Sequence, residues 1–168
     1  MKRKVALISS IAYRPQLLVL DEPFSALDPL IKEEFISAIL EITESEHWTI
    51  FISTHDIEEA EKLADRVGII NKGKLVVNED VESLQQRFRR VEVVLSPPIS
   101  QPIAQRDEWY GFEVQDRVIR FVEAQYSPDE SENLYRKIFG SKAEIQTQGL
   151  TLREIFLAIA QQFQIKGL

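Results

Sequence analysis

The first part of the chain alternates short apolar runs with longer segments whose apolar residues recur at helical spacing. Residues 17–20 form a continuous apolar run, which is typical of a strand covered on both faces in a parallel sheet. Asp28 followed by Pro29 is a helix-start pattern, and the apolar stripe after it predicts a helix to about Glu44. Residues 49–54 are rich in β-branched and aromatic side chains, and they predict the next strand.

Two more helices flank these strands in the predicted order. A helix over residues 2–13 is ended by Pro15, because the residue before a proline avoids the helical conformation. Asp56 and Glu59 have the spacing of a capping box, which predicts a helix from Asp56 to about Ala64. The resulting order of helix, strand, helix, strand and helix indicates a parallel sheet with helical crossovers.

The pattern then changes to two short apolar segments at hairpin spacing. Residues 67–70 and 75–77 are joined through residues 71–74, which include Gly73, and this arrangement predicts a β-hairpin. A helix over residues 80–88 is predicted to follow the hairpin.

The pattern of predicted elements changes near Arg90 and indicates a small α+β region. Its predicted elements, in chain order, are strands over residues 91–95, 112–115 and 118–122, a helix over 129–139, a strand over 143–147 and a helix over 151–162. We therefore predict an α/β fold with a partial parallel sheet in residues 1–88, followed by a small α+β domain in residues 89–168.

The composition excludes several classes of protein. Of the 168 residues, 44% are hydrophobic and 28% are charged, so the chain can bury a core and is not wholly disordered. The formal net charge of −7 argues against a nucleic-acid binder, which usually has a basic face. The chain has no cysteine, which rules out disulfides, thiolate metal sites and cysteine nucleophiles. Its apolar runs are far shorter than the roughly 20 residues of a membrane helix.

Two carboxylates follow the first predicted strand directly. Asp21 and Glu22 lie at its C-terminal end, which is the edge of an open α/β sheet where ligands bind. Asp21 is placed to hold Mg²⁺, which prefers oxygen ligands, and Glu22 is placed to polarise an attacking water molecule. The alternative is that both residues only end a strand at the surface.

The residues that follow change the balance between these alternatives. Residues 21–29 read D-E-P-F-S-A-L-D-P, and the next strand ends in S-T-H-D at residues 53–56. This ordered set resembles the ATP-binding cassette (ABC) family of P-loop ATPases, in its Walker B strand with the catalytic glutamate, its D-loop and its H-loop. Residues 63–66 and the hairpin through residues 72–74 match the stretch that follows in that family. The resemblance covers about residues 1–85.

The resemblance implies roles for five residues, with ATP and Mg²⁺ as the cofactors. Asp21 would hold the Mg²⁺ ion, Glu22 would be the general base, and His55 would contact the γ-phosphate of ATP. Ser25 and Asp28, in the D-loop, would contact the nucleotide. Asp28 is also well explained as a helix cap, and His55 as a hydrogen-bonded histidine before a helix. Three other residues are interpreted only as surface or helix-capping residues: His47, Asp56 and Glu59.

The glycine-rich phosphate loop of the family has no counterpart in this sequence. That loop ends in Gly-Lys-Ser/Thr, and its amides and lysine hold the β- and γ-phosphates. Gly73 and Lys74 lack both the preceding glycine spacing and a following Ser or Thr. Residues 1–7 resemble the end of the family's signature motif and the helix after it. We therefore expect this chain to be the C-terminal part of an ATP-binding subunit, as a fragment, a truncated gene or a late start.

Three functional hypotheses follow from the resemblance. The first is an ATP-binding subunit of an ABC transporter, which pairs with a second cassette and lies at the cytoplasmic face of the cell membrane through a transmembrane permease subunit. Residues 90–168 resemble the C-terminal extension of ABC-2-type exporter subunits, including the ending over residues 150–157. The second is a soluble ABC ATPase without a transport role, and the third is an inactive remnant or interaction module. No nucleic-acid partner is expected.

Overall fold

The computed structural model describes most of the chain, namely residues 15–25, 27–46, 48–96 and 103–165. The chain divides into two compact units, between Ala64 and Asp65. The helix predicted over residues 2–13, together with His47, lies outside the described residues. The domain boundary predicted between residues 88 and 89 stays a prediction about domain organisation.

The first unit has the predicted order of strands and helices. Its elements are β1 (Leu17–Asp21), α1 (Pro29–Glu46), β2 (Thr49–Ser53) and α2 (Ile57–Leu63). Strands β1 and β2 are parallel neighbours, with Leu17 opposite Thr49 and Asp21 opposite Ser53. Helix α1 is therefore the crossover of a β–α–β unit, and the carboxyl ends of both strands meet at one edge of the sheet.

The sequence at the start of α1 explains where that helix begins. The Asp28 Oδ1 atom accepts a hydrogen bond of 3.1 Å from the Ile31 amide, and Pro29 occupies the first helical position. The apolar stripe of the helix supplies Ile36 and Ile39, which form a buried cluster with Phe24. The helix cap predicted at Asp28 is confirmed.

The two faces of the β1–β2 sheet differ in burial. Leu18 is buried. On the other face Leu17, Val19 and Phe51 remain 56%, 64% and 63% exposed. The continuous apolar run of β1 predicts cover on both faces, and within the described part of the chain only one face is covered.

The second unit contains a hairpin, three helices and an antiparallel sheet among its described residues. In chain order its elements are β3 (Arg66–Asn71), β4 (Lys74–Asp80), α3 (Val81–Arg87), β5 (Arg89–Val94), β6 (Trp109–Gln115), β7 (Val118–Glu123), α4 (Pro128–Phe139), β8 (Glu144–Gly149) and α5 (Leu152–Ile165). Strands β5 to β8 form one sheet in the order β6-β7-β5-β8. The small α+β region predicted from the sequence is confirmed.

The hairpin turn between β3 and β4 has the residues that its backbone requires. Lys72 and Gly73 are its two central residues, and their φ angles are +48° and +77°. Two positive φ angles are typical of the type I′ turn, whose twist matches that of the flanking strands. Gly73 occupies its position without steric cost because it has no β-carbon.

One face of the four-stranded sheet packs against α4 through an aromatic core. Trp109 and Phe121 lie on neighbouring strands with ring centroids 4.4 Å apart, and the Tyr135 ring of α4 packs beside them. Val91 and Val93 of β5 complete the centre of this core and are fully buried. Among the described residues no helix has the length and apolar character needed to cross a bilayer.

Candidate functional site

Asp21 and Ser53 form a polar pair where the two parallel strands end. They are register partners at the last residues of β1 and β2. The Ser53 hydroxyl donates a short hydrogen bond to the Asp21 Oδ1 atom. This pairing follows from the parallel register, because residues opposite each other at equivalent ends present their side chains on the same face. An exposed carboxylate and a hydroxyl thus lie together at the sheet edge.

Glu22 begins the turn after β1 in a conformation that is uncommon for a residue other than glycine. Its φ angle is +47°, in the left-handed region. Its amide donates a 2.9 Å hydrogen bond to the Ser53 carbonyl, which extends the β1–β2 pairing by one residue. Strained backbone of this kind costs about 1–3 kcal/mol and is concentrated at functional sites.

Glu22 and His55 are in direct contact across the ends of the two strands. The Glu22 Oε1 atom lies 2.8 Å from the His55 Nδ1 atom. The histidine side chain is 81% exposed and the glutamate 35%, so the pair faces the solvent at the sheet edge. The hydrogen bond that His55 donates to Glu22, and the negative charge of Glu22, raise the pKa of His55 above its ordinary value.

The protonation state of His55 follows from what Glu22 can accept. An ionised carboxylate only accepts hydrogen bonds, so Nδ1 carries a hydrogen when Glu22 is ionised. In the neutral ring the other nitrogen, Nε2, is then an acceptor. In the imidazolium, which the raised pKa of His55 favours, Nε2 also becomes a donor and is free to bond an anion.

Ser25 and Asp28 lie in the turn that connects β1 to α1. The Ser25 amide donates to the Glu22 carbonyl at 3.3 Å, and the Leu27 amide donates to the Phe24 carbonyl at 3.1 Å. Asp28 is exposed and uses Oδ1 to cap α1. The structure therefore places both predicted D-loop residues on the short connection that follows Glu22.

The donor atoms at this edge suit a hard cation that needs few protein ligands. Within the described residues, no three side chains of His, Cys, Asp or Glu come together as a metal site. The Asp21 carboxylate and the Ser53 hydroxyl supply two oxygen atoms. Mg²⁺ usually takes one or two protein oxygens and completes its shell with water and substrate phosphates, so these residues fit it.

A network of ion pairs with one buried member, Glu59, holds the segment that carries His55, and the sequence did not reveal it. The Lys32 Nζ atom lies 2.5 Å from Glu59 Oε1 and 3.1 Å from Asp56 Oδ2. Glu59 is only 5% exposed, and its second oxygen accepts a 2.9 Å hydrogen bond from the Thr54 hydroxyl. The Asp56 amide in turn donates to the same hydroxyl at 3.0 Å. Residues 54–59 are thereby fixed around His55.

This network corrects the interpretation of Asp56 and Glu59 as capping residues only. Asp56 does cap α2, because its Oδ1 atom accepts hydrogen bonds from the amides of Glu58 and Glu59. Glu59 instead turns its side chain to Lys32 on α1. Burial pushes the pKa of Asp56 up, but the hydrogen bonds from Lys32 and the helix amides outweigh this and lower it. The same two carboxylates raise the pKa of Lys32.

Comparison with known families gives one match in the first part of the chain. Residues 1–61 match the family model described as "AAA domain, putative AbiEii toxin, Type IV TA system". The match includes β1, the turn with Glu22, and the segment with His55. The matched family is a P-loop family, and the match covers the whole candidate site.

Curated relatives agree on one kind of protein. The chain is 41% identical over 99 residues to the nitrate import ATP-binding protein NrtD of Synechococcus elongatus, which covers 58% of this chain and 36% of that protein. It is 32% identical over 133 residues to the bacitracin transport ATP-binding protein BcrA of Enterococcus faecalis, which covers 77% and 43%. This chain is related to the ATP-binding subunits of ABC transporters. The family resemblance predicted from the sequence is confirmed.

The alignments cover most of this chain in two cases and less than half of each of the three relatives. The energy-coupling factor transporter ATP-binding protein EcfA2 of Caldanaerobacter subterraneus is 29% identical over 142 residues, or 84% of this chain and 48% of that protein. The chain thus spans less than half the length of these three ABC relatives. Alignments of 133 and 142 residues are longer than residues 1–88, so the likeness to BcrA and EcfA2 extends into residues 89–168.

Proposed function

We propose that this chain is part of an ABC transporter ATP-binding subunit that couples ATP hydrolysis to transport by a membrane permease. The observation that carries the proposal is the 2.8 Å contact between Glu22 and His55 beside Asp21, at the shared end of two parallel strands. This edge is where open α/β sheets bind their ligands. The relatives supply the context, because they are ATP-binding proteins of transport systems.

Glu22 is assigned as the general base of hydrolysis. Its carboxylate accepts a proton from the attacking water, whose oxygen forms a bond to the γ-phosphorus. The bond from the γ-phosphorus to the bridging oxygen breaks, and ADP leaves with that oxygen and its electron pair. The positive φ of Glu22 is the backbone strain expected where a side chain must be held for such a task.

His55 is assigned to the γ-phosphate. Its Nδ1 atom is engaged by Glu22, so Nε2 is the nitrogen that remains for a phosphate oxygen. The raised pKa of His55 favours the imidazolium, which donates from both nitrogens at once. A donor aimed at a group that gains charge in the transition state contributes mainly to the rate.

Asp21, Ser25 and Asp28 are assigned to the nucleotide and its cation. Asp21 would hold Mg²⁺ with help from the Ser53 hydroxyl, and the ion neutralises phosphate charge when it is bound. Ser25 and Asp28 lie on the connection that leaves this edge, and we propose that they contact ATP where a second cassette closes over it. The permease and the second cassette are the proposed partners, at the inner face of the cell membrane.

The C-terminal region favours the exporter branch of this proposal. The similarity to BcrA, whose name assigns it to bacitracin transport, reaches beyond residue 88. The likeness to BcrA therefore includes part of residues 89–168. We propose an ABC-2-type exporter subunit because residues 90–168 resemble the C-terminal extension of such subunits, with an inactive remnant or interaction module as the alternative.

The alternative rests on the absence of a Gly-Lys-Ser/Thr phosphate loop from the 168 residues. Without that cradle the chain by itself should bind Mg-ATP weakly or not at all. Calorimetry on the 168-residue chain checks this directly. Micromolar affinity with one site per chain would show that other residues hold the phosphates.

The catalytic assignment is tested in a chimera that joins the phosphate-loop segment of an ABC ATPase to this chain. Glu22→Gln keeps the size of the side chain and removes the base, so ATP binding should persist while turnover falls by about 10²–10⁴. Glu34→Gln changes the same charge on the exposed surface of α1 and should leave turnover unchanged. A loss of less than about tenfold for Glu22→Gln would exclude Glu22 as the base, and a folded chimera that binds ATP without turnover would support the inactive remnant.

A further inference from the structure

A cavity lies between the β3–β4 hairpin and the second half of α5. It has a volume of about 340 Å³. Its walls are mostly apolar, and the large apolar side chains include Ile69 on the hairpin and Phe156, Ile159 and Phe163 on the helix. At about 30 Å³ for a water-sized group, this volume holds roughly eleven such groups, and it falls within the usual range of small-molecule sites.

The cavity has one cationic end. Lys72 and Asn71 line it at the hairpin turn, where Lys72 is held at a φ angle of +48°. Lys72 is exposed, and none of the carboxylates in the described part of the chain forms an ion pair with it. An unpaired ammonium group beside an apolar wall is complementary to a ligand that has a single negative charge and a hydrocarbon body.

We propose that this cavity binds a small amphipathic carboxylate with an unbranched hydrocarbon chain of about ten carbons. The carboxylate would accept hydrogen bonds from the Lys72 ammonium group and the Asn71 amide. The hydrocarbon chain would lie along the wall formed by Phe156, Ile159 and Phe163. Its size follows from the cavity volume, because room for roughly eleven water-sized groups suits a ligand with about that many non-hydrogen atoms. This site uses none of the residues assigned to ATP, so it does not depend on the proposed ATPase function.

Calorimetry of the 168-residue chain with decanoate, below its micelle concentration, tests the proposal. Decanoate should bind at one site per chain, and the neutral analogue decanol should bind more weakly. Lys72→Gln should weaken decanoate binding by roughly two- to fivefold, the usual effect of one exposed ion pair, and should remove the preference for decanoate over decanol. Lys74→Gln changes a neighbouring lysine that does not line the cavity, and it should keep both affinities.

A second variant tests the apolar part of the site. Ala160 lines the cavity on α5, and Ala160→Leu should fill part of it without removing any existing contact. Decanoate and decanol should both lose roughly tenfold or more in affinity, because the added methyl groups overlap the bound chain. The variant's thermal melting should stay close to that of the parent chain.

Three results would overturn the proposal. They are the absence of saturable decanoate binding to the parent chain, equal losses for Lys72→Gln and Lys74→Gln, and unchanged affinity in a folded Ala160→Leu variant. Each of these outcomes concerns a site apart from Glu22 and His55, so it leaves the ATPase proposal untouched.

Discussion

The Nδ1 atom of His55 lies 2.8 Å from the Oε1 atom of Glu22, although the two residues are 33 positions apart in the chain. The parallel register of β1 and β2 produces this contact, because it places Asp21 opposite Ser53 and brings the segments after both strands to one edge. Fixing the histidine through one nitrogen leaves the other available to a ligand.

The first prediction concerns the titration of His55 in the 168-residue chain. Its pKa should lie above 6.5, because the Glu22 carboxylate stabilises the imidazolium. Glu22→Gln should bring the value back towards 6.5. NMR titration of the imidazole protons measures it, with His47→Gln used to leave a single histidine signal.

The Glu22–His55 pair stabilises the folded chain at low pH. Because the folded-state pKa of His55 is raised, the stabilisation by the pair is present below pH 6.5 and is lost as the pH rises through the raised value. Glu34→Gln, which removes a carboxylate on the surface of α1, should leave the titration unchanged. An identical titration curve in Glu22→Gln would mean that the contact is not kept in solution.

The second prediction separates a catalytic from a structural role for His55. In the chimera with a phosphate loop, His55→Ala should lower turnover by more than about tenfold, since one transition-state donor contributes about 10²–10³. ATP affinity should change far less. The melting temperature without nucleotide should stay nearly constant, because the side chain is 81% exposed. His47→Ala is the matched control with full turnover, and a large loss of melting temperature with normal turnover would make His55 structural.

The third prediction concerns the ion pair beneath the His55 segment. Lys32→Met should lower the free energy of unfolding by about 1–3 kcal/mol, since it leaves the buried Glu59 carboxylate without its cation. Lys62→Met removes the exposed pair between Lys62 and Glu33 and should cost less than about 1 kcal/mol. Urea unfolding measures the free energy of unfolding of both variants, and the m-value should stay unchanged. Equal costs would show that Glu59 is not buried in solution.

The fourth prediction uses a buried carboxylate in the second unit. Glu123 is 3% exposed and accepts a short hydrogen bond from the Tyr135 hydroxyl. Burial raises the pKa of Glu123 in the folded chain. The folded chain is therefore most stable, as far as this group is concerned, below pH 4.5, and its free energy of unfolding falls as the pH rises through the raised pKa. Glu123→Gln should therefore flatten the pH dependence of urea unfolding above pH 4.5 and raise the midpoint at pH 7.

The matched control for Glu123 is an exposed carboxylate on the neighbouring strand. Glu113 on β6 is exposed, and Glu113→Gln should keep the parent pH profile. Tyr135→Phe should make the free energy of unfolding fall more steeply above pH 4.5, because it removes the hydroxyl that donates to the ionised Glu123 carboxylate. If Glu123→Gln unfolded in urea with the same pH dependence as the parent chain, this carboxylate would be ionised equally well in the folded and unfolded chain.

Local sequence signals were sufficient for most elements and failed where a strand lacks the expected pattern. The start of α1 at Pro29 was readable because Asp28 caps it. Strand β6 begins at Trp109, three residues before the predicted start at residue 112. The prediction began too late because Gly111, which has a φ of +59°, interrupts the strand pattern in the sequence. The residues of the candidate site were found through the ordered motif at residues 21–29 and 53–56. Their assigned roles remain predictions.

The sequence by itself determined the order of the described helices and strands, the helix caps at Asp28 and Asp56, and the family, because these depend on local spacing and on motifs read along the chain. Only the tertiary structure decided which side chains meet. Lys32 and Asp56 are 24 residues apart, and Glu22 and His55 are 33 apart. No periodicity within a helix or strand relates such residues. Their contact is set by the parallel register of β1 and β2 and by the packing of α1 against α2, which bring distant segments together in space.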